Sequence, residues 1–134
     1  MKGTKFVLDS YSLICLFEEE RGYQKILRIL ESGRKGELVL LLSEINWGEI
    51  YYIISRTHDE KRAEDSLIRI EDLPILIKEV NRELILNAAK IKSTIPISYA
   101  DAFVAALALQ EQASIITGDR EFESLENKIP IIWI

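Results

Sequence analysis

Five short, uninterrupted apolar runs recur along this chain, and stretches with helical periodicity separate them. The runs are Lys5–Leu8 (KFVL), Glu37–Leu42 (ELVLLL), Pro74–Ile77 (PILI), Ser114–Thr117 (SIIT) and Pro130–Ile134 (PIIWI). None shows the period-two alternation that a strand with one wet face requires. Strands apolar on both sides, alternating with helices, point to an α/β fold built on a parallel sheet covered on both faces. Helices are expected at Tyr11–Phe17, Tyr23–Leu30, Glu44–Arg56, Glu60–Glu71, Asn81–Ser93 and Ser98–Gln112. Gly22 is a joint, Gly33 and Gly36 are stops, Ser43 suits an N-cap, and Pro96 marks a break. Crossovers between parallel strands should be right-handed. The 134 residues hold no interdomain linker, repeat or low-complexity tract, so residues 1–134 are expected to form one domain.

Composition narrows the function. The formal net charge of −5 lacks the basic surplus that drives general nucleic-acid binding through phosphate neutralisation. The surplus carboxylates are either a solvated surface or a group of acids that holds cations. One cysteine, Cys15, lies in an apolar stretch and reads as a small buried hydrophobe, consistent with a reducing cytoplasm. The first apolar stretch is interrupted at Asp9 and lacks the long core of a signal peptide. Ala102–Leu109, the longest apolar run, is far too short to cross a bilayer, and no membrane association is expected.

Four carboxylates sit in unusual places. Asp9 directly follows KFVL; it can cap the next helix, and it also stands at the carboxyl end of a strand, where open α/β sheets bind ligands. Glu49 projects between Ile45 and Ile53 on the helix after strand two, whereas Glu44 falls on a polar side near Gly48 and Ser55. A carboxylate within an apolar stripe costs several kcal/mol unless paired or bound to a cation. Asp101 is the only charged residue between Ser98 and Gln110; Ser98-x-x-Asp101 matches a capping box, and the first helical turn also favours an anion. Asp119, in Thr117-Gly118-Asp119, can cap a short helix at Arg120–Leu125, and Thr117 brings a hydroxyl to the same strand end. Each has an ordinary explanation. Together, all four can reach one edge of the sheet, where mutual repulsion would raise their pKa values unless a cation offset it. Oxygen-only ligands select hard ions such as Mg²⁺ or Mn²⁺.

Other chemistries find no support. His58 is adjacent to none of these acids and reads as a satisfied surface histidine. No Cys/His spacing fits zinc, and there is no Gly-rich phosphate loop or G-x-S-x-G elbow.

Four segments, in this order, resemble the PIN domains and especially their VapC-type toxins: FVLDSY (Phe6–Tyr11), SEINWGEIYY (Ser43–Tyr52), ISYADAFVAALAL (Ile97–Leu109) and ITGDREF (Ile116–Phe122). The resemblance covers essentially the whole chain. It implies a three-layer α/β/α fold with a five-stranded parallel sheet of order 3-2-1-4-5, and a Mg²⁺- or Mn²⁺-dependent endoribonuclease. The family's acidic quartet matches Asp9, Glu49, Asp101 and Asp119, and Thr117 matches a hydroxyl residue often found before the last acid. On this basis Asp9 and Asp101 are expected to hold the principal ion and Glu49 to complete its coordination. Asp119 is expected to orient the attacking water or bind a second ion. No catalytic histidine is required, so products should carry 5′-phosphate and 3′-hydroxyl ends. Arg56, Lys92 and Arg120 lie near the matching segments and are candidates for RNA contact. A small cognate antitoxin and a homodimer are the implied partners, with Trp47–Ile54 as one contact surface.

Two rivals remain to be weighed. A receiver-type phosphoacceptor domain would carry an Asp after strand three, where this chain runs Lys78-Glu79-Val80. A non-catalytic PIN-like binding scaffold commonly lacks one or more of the acids, and all four are present here. A haloacid-dehalogenase-like phosphatase fails at once, because residue 11 is tyrosine where Asp-x-Asp is needed.

Overall fold

The computed structural model describes residues 3–134. Its strands are β1 (Thr4–Leu8), β2 (Leu38–Ser43), β3 (Ile75–Lys78), β4 (Ser114–Thr117) and β5 (Ile131–Trp133). The helices are α1 (Ser10–Phe17), α2 (Tyr23–Arg34), α3 (Glu44–Thr57), α4 (Glu60–Glu71), α5 (Arg82–Thr94) and α6 (Tyr99–Glu111), with a short 3₁₀ helix at Arg120–Leu125. The strands form one parallel sheet of order β3-β2-β1-β4-β5. This is the order implied by the PIN resemblance. It puts β3 at an edge, which a receiver-type order, with strand three inside the sheet, does not allow.

Alternation along each central strand divides the core in two. Val7, Leu41 and Ile115 face α5 and α6, in a cluster that includes Leu84, Ala88, Phe103 and Leu107. Leu8, Leu40, Leu42 and Ile116 face the other way, against Leu13, Ile26, Ile50 and Ile70 of α1 to α4. Helices thus cover both faces of the sheet. The cover is incomplete at β3, where Leu76 and Ile77 are exposed, because an edge strand has a neighbour on one side only.

α6 explains its own composition. Residues 101–108 are all buried, so the helix has no wet face, and its alanines permit close approach to β1, β2, β4 and α5. α2 runs past the expected stop at Gly33. That glycine lies inside the helix, and a Cβ there would come 3.2 Å from Leu40 Cδ1, so its smallness lets the helix close on β2. The chain turns instead at Gly36, whose φ of +76° is costly for any side chain.

The chain crosses from β1 to β2 and β3 on one side, then returns to β4 and β5 on the other. The carboxyl ends of β1 and β4 therefore adjoin at the point where the direction of winding reverses, a place where no crossover covers the sheet end.

Candidate active site

Asp9 leaves the end of β1 and is only 1% exposed. Its Oδ1 accepts the Ser12 backbone N–H at 2.9 Å, the expected N-cap bond, and lies 2.8 Å from the Ser12 hydroxyl. The Thr117 hydroxyl donates to Asp9 Oδ2 at 2.5 Å and accepts the Asp119 N–H at 2.9 Å. One buried threonine thus fixes two strand-end acids to each other. The capping and site roles of Asp9 coexist, because a carboxylate has more lone pairs than a cap uses. Asp119 likewise caps the 3₁₀ helix, accepting the Glu121 N–H at 2.9 Å.

Asp101 departs from the capping-box expectation. Ser98 Oγ does accept the Asp101 N–H, at 3.2 Å. The reciprocal bond is taken by another residue: the Ser98 N–H donates to Glu121 Oε1. Among the described residues nothing hydrogen-bonds to the Asp101 carboxylate, which is left facing the cleft.

Glu49 also corrects the sequence reading. The buried stripe of α3 is Asn46, Ile50 and Ile54, and Ile45 is exposed, so Ile45 and Ile53 are not a core stripe. Glu49 flanks the buried stripe and looks into the cleft beside Ile53. The Ser10 hydroxyl donates to its Oε1, as does Asn46 Nδ2 at 3.3 Å. Asn46, fully buried, also reaches the Ala100 carbonyl at 3.4 Å and so ties α3 to the first turn of α6.

All four acids named from sequence line one cleft of about 300 Å³, together with Glu20 and Glu121. Among the described residues, no lysine, arginine or histidine lines it. Burial, then repulsion from Asp9, Asp119, Glu121 and Glu49, pushes Asp101 up to about 8. Burial raises Asp9 to about 6 against the lowering effect of its Thr117 and Ser12 bonds, and Asp119 adds repulsion. Carboxylate oxygens of Asp101, Asp119 and Glu121 lie within 4.8 Å of one another. That trio differs from the expected Asp9–Asp101 pair and includes Glu121, which sequence reasoning passes over as part of a short helix. Its signal is its place two residues after Asp119 and just before buried Phe122. An all-oxygen set with a surplus of negative charge and an unpaired carboxylate suits a hard divalent cation.

A family model described as PIN domain matches residues 6–128. The chain belongs to the PIN domain family. This PIN domain is also similar in fold to solved toxin–antitoxin structures. Over 96% of this chain and 98% of the other, it superposes on a chain of VapBC2 from Rickettsia felis, bound to a promoter DNA fragment, with TM-score 0.74 and 15% identity. For VapBC-1 from nontypeable Haemophilus influenzae the values are 97%, 98%, 0.73 and 19%. For VapC20 from Mycobacterium tuberculosis, a sarcin-ricin loop cleaving toxin, they are 89%, 93%, 0.72 and 14%. At such identities the likeness is one of fold. Among curated proteins, none matches this PIN domain in sequence.

The basic candidates do not join the site. Arg56 and Lys92 are exposed in the last turns of α3 and α5, and the Arg120 guanidinium lies over the Trp133 ring, 4.9 Å from its centroid. None of the three lines the cleft. His58 is satisfied by Glu18 at 2.7 Å and Arg62 at 2.8 Å. Cys15 is buried, its thiol directed at the Glu20 and Arg21 carbonyls. Among the described residues, no helix is long and apolar enough to cross a membrane.

Proposed function

We propose that this PIN domain is an endoribonuclease dependent on Mg²⁺ or Mn²⁺, and the toxin half of a VapBC-type toxin–antitoxin pair. One observation carries the reading: acids from four separate segments meet in a cleft that, among the described residues, holds no positive side chain. Asp101, Asp119 and Glu121, with Asp9 beside them, are the residues that would hold the ion. A bound divalent cation supplies Lewis acidity toward the scissile phosphate and toward water. Thr117 and Ser12 keep Asp9 in one orientation. Glu49, steadied by Ser10 and Asn46, presents a carboxylate that can orient the attacking water and receive its proton. Hydrolysis by water that expels the 3′ oxygen leaves 5′-phosphate and 3′-hydroxyl ends, without a 2′,3′-cyclic phosphate.

The fold neighbours include a toxin described as cleaving the sarcin-ricin loop and several toxin–antitoxin complexes, which supports RNA as substrate and a small antitoxin as partner. Trp47 and Tyr52 are exposed on α3, whereas Ile50 and Ile54 are buried, so within Trp47–Ile54 these two aromatics are available to an antitoxin or to a second copy in a homodimer. With RNA as its substrate, the proposed activity belongs to the cytoplasm. The test is cleavage of single-stranded RNA with Mn²⁺ by the wild type and by Asp9→Asn, with analysis of the product ends. Loss of activity in the variant is expected. Equal cleavage by both proteins, or cyclic phosphate ends, would sink the metal-nuclease reading.

A further inference from the structure

RNA commonly binds proteins through neutralisation of its phosphates by lysine and arginine. Among the described residues this cleft offers neither, and the chain's net charge of −5 adds long-range repulsion. Cations held by the acids can offset charge at the phosphate being cut, but they do not grip the rest of the strand. What RNA still offers is the flat faces of its bases, once unstacked.

Tyr11 is the one aromatic side chain among the described residues that line the cleft. It is 46% exposed and belongs to neither core cluster, so packing of the fold does not account for it. Its ring lies directly against Gly118. A Cβ built at Gly118 would lie 2.4 Å from Tyr11 Cε1, 3.0 Å from Cζ and 3.2 Å from Cδ1. Only a residue without a side chain leaves the ring that position. Gly118 stands between Thr117 and Asp119, and Tyr11 follows Asp9 by two residues. The ring thus lies at the two strand ends that carry Asp9 and Asp119.

We propose that Tyr11 is a stacking platform for one unpaired nucleobase next to the phosphate being cut, with Gly118 as its seat. This rests on the ribonuclease reading above and narrows the substrate to RNA whose bases are free to splay out, in loops or single strands. It also explains how an acidic protein can hold RNA with few phosphate contacts.

The test measures cleavage of single-stranded RNA oligonucleotides of degenerate sequence, with Mn²⁺, by the wild type, Tyr11→Phe, Tyr11→Ala and Gly118→Ala. A ribose–phosphate strand of the same length without bases serves as a competitor. Tyr11→Phe keeps the wild-type KM, whereas Tyr11→Ala and Gly118→Ala raise KM roughly tenfold or more, the loss falling on KM rather than kcat. The wild type prefers a base-bearing competitor to the abasic strand by a similar factor, and Tyr11→Ala has lost that preference. An unchanged KM in Tyr11→Ala, or a retained preference, overturns the platform and leaves the ribonuclease reading standing. No cleavage by the wild type overturns both. Thermal melts of each variant separate binding from folding; should Gly118→Ala fail to fold, the Tyr11→Phe and Tyr11→Ala pair still decides.

Discussion

Asp101 carries a cost in stability that the proposed ion site would account for. It is 5% exposed, and no group among the described residues bonds to its carboxylate. Burial and four neighbouring acids raise it to about 8. Between the ordinary carboxylate range, near pH 4, and about 8, the folded protein keeps a proton there that the unfolded chain has released. The folded state binds more protons, so stability falls as pH rises through that window. Asp9 adds to the same trend up to about 6. In a chelating buffer, the melting temperature is therefore expected to drop between about pH 5 and about pH 8. Asp101→Asn, which keeps the shape and removes the charge, flattens much of that drop and melts several degrees higher at the alkaline end. Its RNA cleavage with Mn²⁺ falls further than the roughly 10- to 100-fold seen when a partner outside the ligand set is lost. A melt of Asp101→Asn as pH-sensitive as the wild type would contradict this account.

At the scale of elements, the 3₁₀ helix acts as a clamp on α6. Glu121 satisfies the Ser98 N–H that a capping box would have assigned to Asp101, and so frees Asp101 for the cleft. The same carboxylate lies within 4.8 Å of Asp101 and Asp119, so one side chain both anchors a helix end and contributes charge. Two substitutions separate these roles. Glu121→Gln keeps an acceptor for the Ser98 N–H, and its thermal stability in chelator should equal or exceed that of the wild type, with weaker Mn²⁺ binding in calorimetry. Glu121→Ala removes both, and costs about 1 kcal/mol of metal-free stability through the lost cap as well. Equal Mn²⁺ affinity in Glu121→Gln and the wild type would remove Glu121 from the ion's surroundings.

For the whole molecule, the decisive feature is that the sheet's point of reversal collects charge that the fold does not neutralise. Carboxylates from β1–α1, α3, α6 and the segment after β4 share one cleft, and every ion pair found among the described residues lies outside that group. An ion that binds the folded cleft and not the unfolded chain stabilises by mass action, about 2.7 kcal/mol at a hundredfold excess over Kd. Saturating Mn²⁺ or Mg²⁺ should raise the melting temperature by several degrees near pH 8, and by less near pH 5, where Asp101 and Asp9 hold protons that compete with the ion. Scanning fluorimetry across pH and cation concentration checks this. A shift independent of pH, or one preserved in Asp101→Asn, would mean the ion binds elsewhere.

Local chemistry along the chain makes much of this protein legible from its residues alone. Apolar runs without alternation announce buried parallel strands, and β4, α4 and the Arg120–Leu125 helix have the bounds their residues imply. The sheet order and the matching of the four acids rest on motif resemblance, since neither periodicity nor spacing orders strands. Three features depend on the chain closing on itself. Gly33 reads as a stop, yet Leu40 and Pro74 leave room for little else inside a helix. Asp101 reads as half of a capping box, yet Glu121, distant in sequence, arrives first. Tyr11 reads as the start of a helix, and only folding brings Gly118 against its ring at the cleft. Propensity and periodicity are properties of neighbours along the chain. Which carboxylate wins a given N–H, and which glycine admits a ring, are contests between groups that meet only after folding.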